Sequence, residues 1–423
     1  MKKTLPLIAL ALLFQAGAAQ AATRTICYDL LFKDERTDCP TSADAGVRRA
    51  CQENDYNFTS APDGTYTHPV GSHIEIWDRD WNSDDEYIGT WYIGGTGTRC
   101  VTFEWEGASY SKGEANPDIY IKWKSKTQAT VTGAKTVQAI DDTGANQPNI
   151  SWRSYQFDNC TRGSTCTFPY YLLISTDATT ERGGYAQVLD STQHALEVYN
   201  SYLDHNIEVV YPGPSSFASS QTKFTIGGTS ADNRALMAQS STHEMGHVLQ
   251  MQLFNQNYLR NNCNLGGSTH SLTSEEYESC ATTEGWAGYV AAVSLWNPNN
   301  TGSRPSRWGL DFENATPFAS TCSDNGSYEL QVIRAFWDLD DANNEAASSP
   351  AAIDDLYNSS STFIASGWGQ FANGTGNRDD YESGNDGVNV WDYYYNNSSR
   401  FGNATNARLT LLYHNCLSSQ ATN

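Results

Sequence analysis

The five residues His243-Glu244-Met245-Gly246-His247 constrain this chain more than any other segment. Histidines four positions apart fall on one face of an α-helix, a turn apart, and their imidazoles can grip one divalent cation. The glutamate beside the first histidine points into the same cleft, where its carboxylate can take a proton from a metal-activated water. The chain must therefore build a helix over these residues and set one face of it beside a cleft. Two imidazoles still leave a catalytic zinc short of one protein ligand, with a further position open to water.

The third ligand has two sources. One is a continuation of the same segment as H-E-x-x-H-x-x-G-x-x-H, but Gln250 stands at the glycine position and Leu253 at the last histidine, which excludes it. The other is a glutamate on a second helix, and the run Thr282-Thr283-Glu284-Gly285-Trp286-Ala287-Gly288-Tyr289 supplies Glu284. Thr283 reads as an N-cap, which sets Glu284 in a first helical turn where the dipole favours a carboxylate. Ala287 and Gly288, three and four residues on, are small enough to let this helix lie close against the metal helix. Glu275, Glu276 and Glu278 compete for the ligand role from a Ser/Glu-rich stretch.

Together, His243-Glu244-x-x-His247 and Glu284-x-x-Ala287 resemble the gluzincin group of zinc metallopeptidases, the thermolysin-like enzymes. The resemblance implies that His243, His247 and Glu284 hold Zn²⁺ and that Glu244 is the general base of an endopeptidase acting on proteins or peptides. One position departs from it. Gluzincins often carry an aspartate four residues after the ligand glutamate to orient a zinc histidine; this chain has Gly288 there, and Asp338 or Asp340 is expected to substitute. A donor opposite the metal is expected from Tyr393, Tyr394, Tyr395, His270 or His414.

A chain of 423 residues has room for two domains and a leader. Residues 1–21 read as a signal peptide: Lys2 and Lys3, an apolar stretch from Leu5 to Phe14, then Ala19-Gln20-Ala21 as a cleavage site. That stretch is too short to span a bilayer and no later segment is long and apolar enough to do so, so a secreted or periplasmic protein is expected; it is also expected to be a monomer. Ten cysteines suit an oxidising destination. The expected pairs are Cys160–Cys166, Cys263–Cys280 and Cys322–Cys416, with Cys27, Cys39, Cys51 and Cys100 pairing among themselves. The formal charge of −22 becomes −24 when Lys2 and Lys3 leave, and it argues against nucleic acid or anionic lipid as a partner.

Residues 22–60 form a cysteine-containing segment with little periodicity. Residues 61–165 read as a β-rich accessory domain: 73–77, 101–105 and 118–123 each alternate apolar and polar, which predicts an antiparallel β-sandwich. The stretches 76–80, 83–89 and 116–120 of this region resemble transthyretin-like or C2-like accessory sandwiches. Asp78, Asp80, Asp84 and Asp85 offer oxygen ligands for Ca²⁺ on a loop rim, but no spaced ligand motif backs them and a solvated acidic turn is the simpler reading. Residues 166–423 are expected to form the catalytic domain. Its predicted elements are a strand at 168–175, a helix at 185–205, a strand at 207–211, an edge strand at 224–226, and a metal helix capped near Asp232 or Asn233. A packing helix follows at 328–340, with Phe336 and Trp337 in the core. The fold class is thus α+β: an N-terminal antiparallel β-sandwich followed by a zincin-like domain with a mostly helical lower lobe.

Two other readings compete. The Trp- and Tyr-rich front half suits an exported adhesin or polymer-binding protein whose zinc site is vestigial. Alternatively, residues 22 to about 165 are a pro-region in which Cys27, Cys39 or Cys51 plugs the metal, which an even cysteine count disfavours.

Overall fold

In a computed structural model of the chain, the described residues fall within 22–33, 66–105, 116–140, 152–175, 181–227, 234–253, 271–298, 305–312, 328–340, 390–399 and 415–417. The leader, Cys39, Cys51, Asp80, Cys263, His270, Glu275, Cys322, His414 and Cys416 lie outside them. The described chain combines helices and sheets, as an α+β fold does.

The front half is built from strands. They are β1 (Ala22–Tyr28), β2 (Leu30–Lys33), β3 (Tyr66–Thr67), β4 (His73–Asp78), β5 (Glu86–Tyr92), β6 (Arg99–Trp105) and β7 (Ile119–Trp123). Then come β8 (Lys126–Gln128), β9 (Thr136–Ile140), β10 (Trp152–Arg153), β11 (Thr165–Thr167) and β12 (Leu172–Ser175). Where apolar and polar residues alternate, the strand forms: β4 buries Ile74, Ile76 and Asp78 and turns His73, Glu75 and Trp77 outward. It pairs antiparallel with β5 and β7, and the sheet runs β10-β7-β4-β5.

The segment from residue 22, which carries little periodicity, nonetheless supplies two strands. Strand β1 pairs antiparallel with β6 and parallel with β11, while β2 pairs parallel with β12 and antiparallel with β3. These two sheets are therefore mixed. The reasons differ: β2 is buried on both faces, through Leu30, Leu31 and Phe32, while in β1 the core face that holds Ile26 and Tyr28 also holds the buried Arg24, which breaks the apolar alternation. A Cys27–Cys100 disulfide ties β1 to β6, and Cys160–Cys166 closes the local clasp read from the sequence. Cys280 is also disulfide-bonded, and none of the described cysteines is free.

The back half adds helix α1 (Glu181–Tyr199), strands β13 (Ile207–Gly213), β14 (Phe217–Ser220) and β15 (Lys223–Gly227), and helix α2 (Arg234–Leu253). Helix α3 (Glu278–Leu295), the short strands β16 (Ser306–Arg307) and β17 (Leu310–Asp311), helix α4 (Glu329–Asp340) and helix α5 (Val390–Asn397) complete it. A five-stranded sheet in the order β14-β15-β13-β9-β8 lies beside α1 and α2. Two expectations change here. Strands β8 and β9 belong to this sheet, with β9 parallel to β13 and Val137 and Ala139 fully buried. And β15 is interior: the edge is β14, which doubles back on β15 through a Gln221-Thr222 turn. Among the described residues, no helix is long and apolar enough to cross a membrane.

Candidate metal centre

Helix α2 begins at Arg234; Asp232 and Asn233, the expected cap, lie outside the described residues. From Ser241 onward both of its faces are covered: Met245, Val248 and Leu249 join the core, while His243, Glu244 and His247 are 5–7% exposed on another side. The imidazole rings of His243 and His247 sit 4.8 Å apart, centre to centre, as neighbours one turn apart should.

Glu284 comes to them from α3. One of its carboxylate oxygens, Oε2, lies 3.1 Å from His243 Nε2 and 3.1 Å from His247 Nε2. Donors held by one ion through bonds of about 2 Å in a tetrahedron stand roughly 3.3 Å apart. The three ligand-type atoms lie within 4.8 Å of one another, and this is the one cluster of its kind found among the described residues. Burial alone would raise the Glu284 carboxyl, but His247 and His243, by charge and by hydrogen bonding, hold it well below the usual carboxylate range. Two nitrogens and one carboxylate oxygen, converging and almost solvent-free, are a donor set suited to Zn²⁺.

The route by which Glu284 gets there differs from the sequence expectation. Helix α3 starts at Glu278 with Tyr277 before it, so Thr283 is not a cap. The Thr283 hydroxyl instead donates to the Ser279 carbonyl at 2.8 Å, inside the helix. The first-turn acid is Glu278; Glu284 is the seventh helical residue, beyond the reach of the N-terminal dipole. Its charge is balanced by the histidines.

The close approach of the helices also divides differently among the small residues. A Cβ placed on Gly246 would meet the Ala287 Cα at 2.8 Å and the Ala287 carbonyl oxygen at 3.2 Å. Gly246, lying between the two histidines, and Ala287 thus form the point of contact. Gly285 and Gly288 face Val332 and Ile333 on α4, so they let α4 close on α3. The indole of Trp286 donates its Nε1–H to the Gly246 carbonyl at 3.2 Å. The sequence reading passes over Gly246 and Trp286; a glycine inside a helix between two histidines is the available signal for the first.

The remaining expected site residues are placed as follows. Asp340 accepts the Tyr289 hydroxyl at 2.8 Å, and Asp338 accepts the Asn415 amide at 2.8 Å. Tyr393 is buried, with its ring 5.1 Å from that of Phe336, and Tyr394 and Tyr395 pack against Trp391. Phe336 and Trp337 are core residues, as expected. Glu276 is buried and accepts from the Ser271 amide and the Ser274 hydroxyl, while Glu278 opens α3. At the front, Asp78 accepts the Asp118 amide and Asp85 accepts the Tyr120 hydroxyl at 2.6 Å. Asp84 is exposed.

Residues 215–380, which include both histidines, Glu244 and Glu284, match the family model of the Mycolysin C-terminal domain. No curated protein matches the chain. A solved structure, described as a 9R-lipoxygenase from Cyanothece PCC8801, aligns at 14% identity with a TM-score of 0.20. The aligned part is 48% of this chain and 25% of that one, and a likeness so slight bears on neither fold nor chemistry. The family match supports a relationship to metallopeptidases, which implies a metal and a protein substrate.

Proposed function

We propose that this protein is an exported zinc endopeptidase of the gluzincin type. The observation that carries the proposal is the convergence of His243 Nε2, His247 Nε2 and Glu284 Oε2, with the carboxylate oxygen 3.1 Å from each nitrogen. In this reading the three side chains hold Zn²⁺, which supplies Lewis acidity towards a water and a peptide carbonyl. Glu244 follows His243 directly in α2 and takes the proton of the attacking water on its carboxylate, then returns it to the nitrogen of the leaving amine. Burial of the ligand set keeps bulk water away from the carboxylate–imidazole contacts and strengthens them.

Residues 1–21 act as a signal peptide, and the mature chain works as a monomer outside the cytoplasm. The β-rich front half serves as an accessory module. We draw the front limit of the catalytic unit before β8 instead of at 166, because β9 is hydrogen-bonded to β13. A calcium role for the acidic rim is not carried forward, since Asp78 and Asp85 already serve protein donors.

The test is Glu244→Gln, assayed with the metal content and melting temperature measured alongside. Hydrolysis of casein or peptides should fall by about 10²- to 10⁴-fold while one zinc per chain is retained. Undiminished hydrolysis would refute the mechanism. One zinc per chain in the parent protein, with no turnover of any protein substrate, would favour the adhesin reading.

A further inference from the structure

We infer that Trp286 is a positioning residue for the metal ligands, one that sets the register of the helix carrying Glu284 against the helix carrying the histidines. The inference rests on the metal reading above and goes beyond the ligands themselves.

Glu284 Oε2 is equidistant from the two Nε2 atoms, so its placement is specified in two directions at once. An axial slip of α3 by one residue would move that oxygen about 1.5 Å, several times the tolerance of a preorganised site. The contact between Gly246 and Ala287 brings the helices together, but small-residue surfaces are smooth and resist sliding poorly. A hydrogen bond is directional. The Trp286 indole N–H reaches the carbonyl of Gly246, the residue immediately before His247, from a position two residues after Glu284. One end of the bond therefore belongs to the histidine helix and the other to the glutamate helix, each within a turn of a ligand.

The indole cannot easily swing away. Trp286 is fully buried, with ring neighbours on three helices: Tyr199 at 6.3 Å, Tyr289 at 5.6 Å and Phe336 at 5.8 Å. The clamp fixes the ring, and the N–H fixes Gly246. Gly246 has no side chain to shield its carbonyl from a donor on the facing helix.

The full chain with Trp286→Phe keeps a ring in the clamp and loses the donor. Its Zn²⁺ affinity, measured by chelator competition, should weaken about five- to tenfold, and the visible bands of the Co²⁺-loaded protein should shift. Tyr289→Phe is the control: it removes the hydroxyl on Asp340 but leaves the indole bond, so Zn²⁺ affinity and Co²⁺ spectrum should match the parent even if melting falls. Should Trp286→Phe fail to fold, 3-benzothienylalanine at 286 keeps the bicyclic ring without the N–H, with the same expectation. Parental affinity and spectrum in the donor-less protein would overturn the inference. So would two variants that lose zinc affinity in step with their loss of melting temperature, since that marks general loosening. A parent protein that binds neither Zn²⁺ nor Co²⁺ would overturn the metal reading itself, and this inference with it.

Discussion

Gly246→Ala puts a single methyl group where the two metal helices touch. The new Cβ would stand 2.8 Å from the Ala287 Cα, 3.1 Å from the Val290 Cβ and 3.2 Å from the Ala287 carbonyl oxygen. Carbon atoms rest at about 3.5 Å or more, so the helices must part by roughly 0.7 Å at this point. Backbone is on the far side of the contact, and no flexible side chain can yield. Alanine in a helix interior is worth about 1 kcal/mol over glycine, while overpacking a tight contact costs about 1–3 kcal/mol. The two terms nearly offset, and folding stability should change by no more than about 2 kcal/mol. Metal binding has no such compensation. Glu284 is carried outward with α3, and its oxygen can no longer sit equally close to both imidazoles. Chelator competition should therefore report at least tenfold weaker Zn²⁺ binding in a protein whose melting temperature has fallen by a few degrees at most. If the Gly246→Ala variant gained the full helix-propensity benefit at parental zinc affinity, the helices would not meet there.

Glu284→Gln removes the charge but keeps the shape, and should lower zinc affinity by well over tenfold while the apoprotein still folds; unchanged affinity in equilibrium dialysis would contradict its ligand role. The Cys27–Cys100 bond spans 73 residues and the Cys160–Cys166 bond only 6, so in the chain-entropy description their loss costs about 4 and about 2 kcal/mol respectively. Urea titration of paired Cys→Ser variants checks the order, and a larger cost for the short loop would be the wrong result. His73 bonds through Nε2 to Gln128 Oε1 at 2.9 Å, linking β4 to β8. Burial first and the neighbouring Lys126 second hold its imidazole below the ordinary value of 6.5, against the Gln128 bond, which pulls it up. The unfolded chain therefore takes up a proton that the folded chain refuses as pH falls below about 6.5, and stability drops there. In His73→Gln this part of the acid slope should vanish from urea midpoints measured between pH 7 and 5; an unaltered slope would remove His73 from the explanation.

The helix around His243-Glu244-Met245-Gly246-His247 and the glutamate on a second helix are legible because metal chemistry imposes a spacing on residue types. The strand at 73–78 is legible for a simpler reason, since one face is buried and the other only partly so; 119–123 alternates in sequence, although Tyr120 on its second face is buried as well. Features without such asymmetry escape a reading of the sequence. Strand β2 is apolar on both faces, β1 carries a buried Arg24 on its core face, and β9 looks like a connector until β13 lies beside it. The start of α3 is hidden because threonine both caps helices and bonds back within them, and Thr283 does the second. Gly288 and Ala287 follow one another in sequence but serve different neighbours, α4 and α2, which depends on where α4 packs. The Trp286–Gly246 bond joins residues 40 apart and leaves no local trace.

X-ray absorption at the zinc edge of the purified, zinc-loaded protein tests the coordination set most directly. Two imidazole nitrogens and a carboxylate oxygen are expected close to 2.0–2.2 Å, at one zinc per chain, with the imidazole count unchanged and the carboxylate contribution lost in Glu284→Ala. Sulfur scattering near 2.3 Å, or a spectrum that Glu284→Ala leaves untouched, would mean that the ion sits elsewhere and that the converging residues are not its ligands.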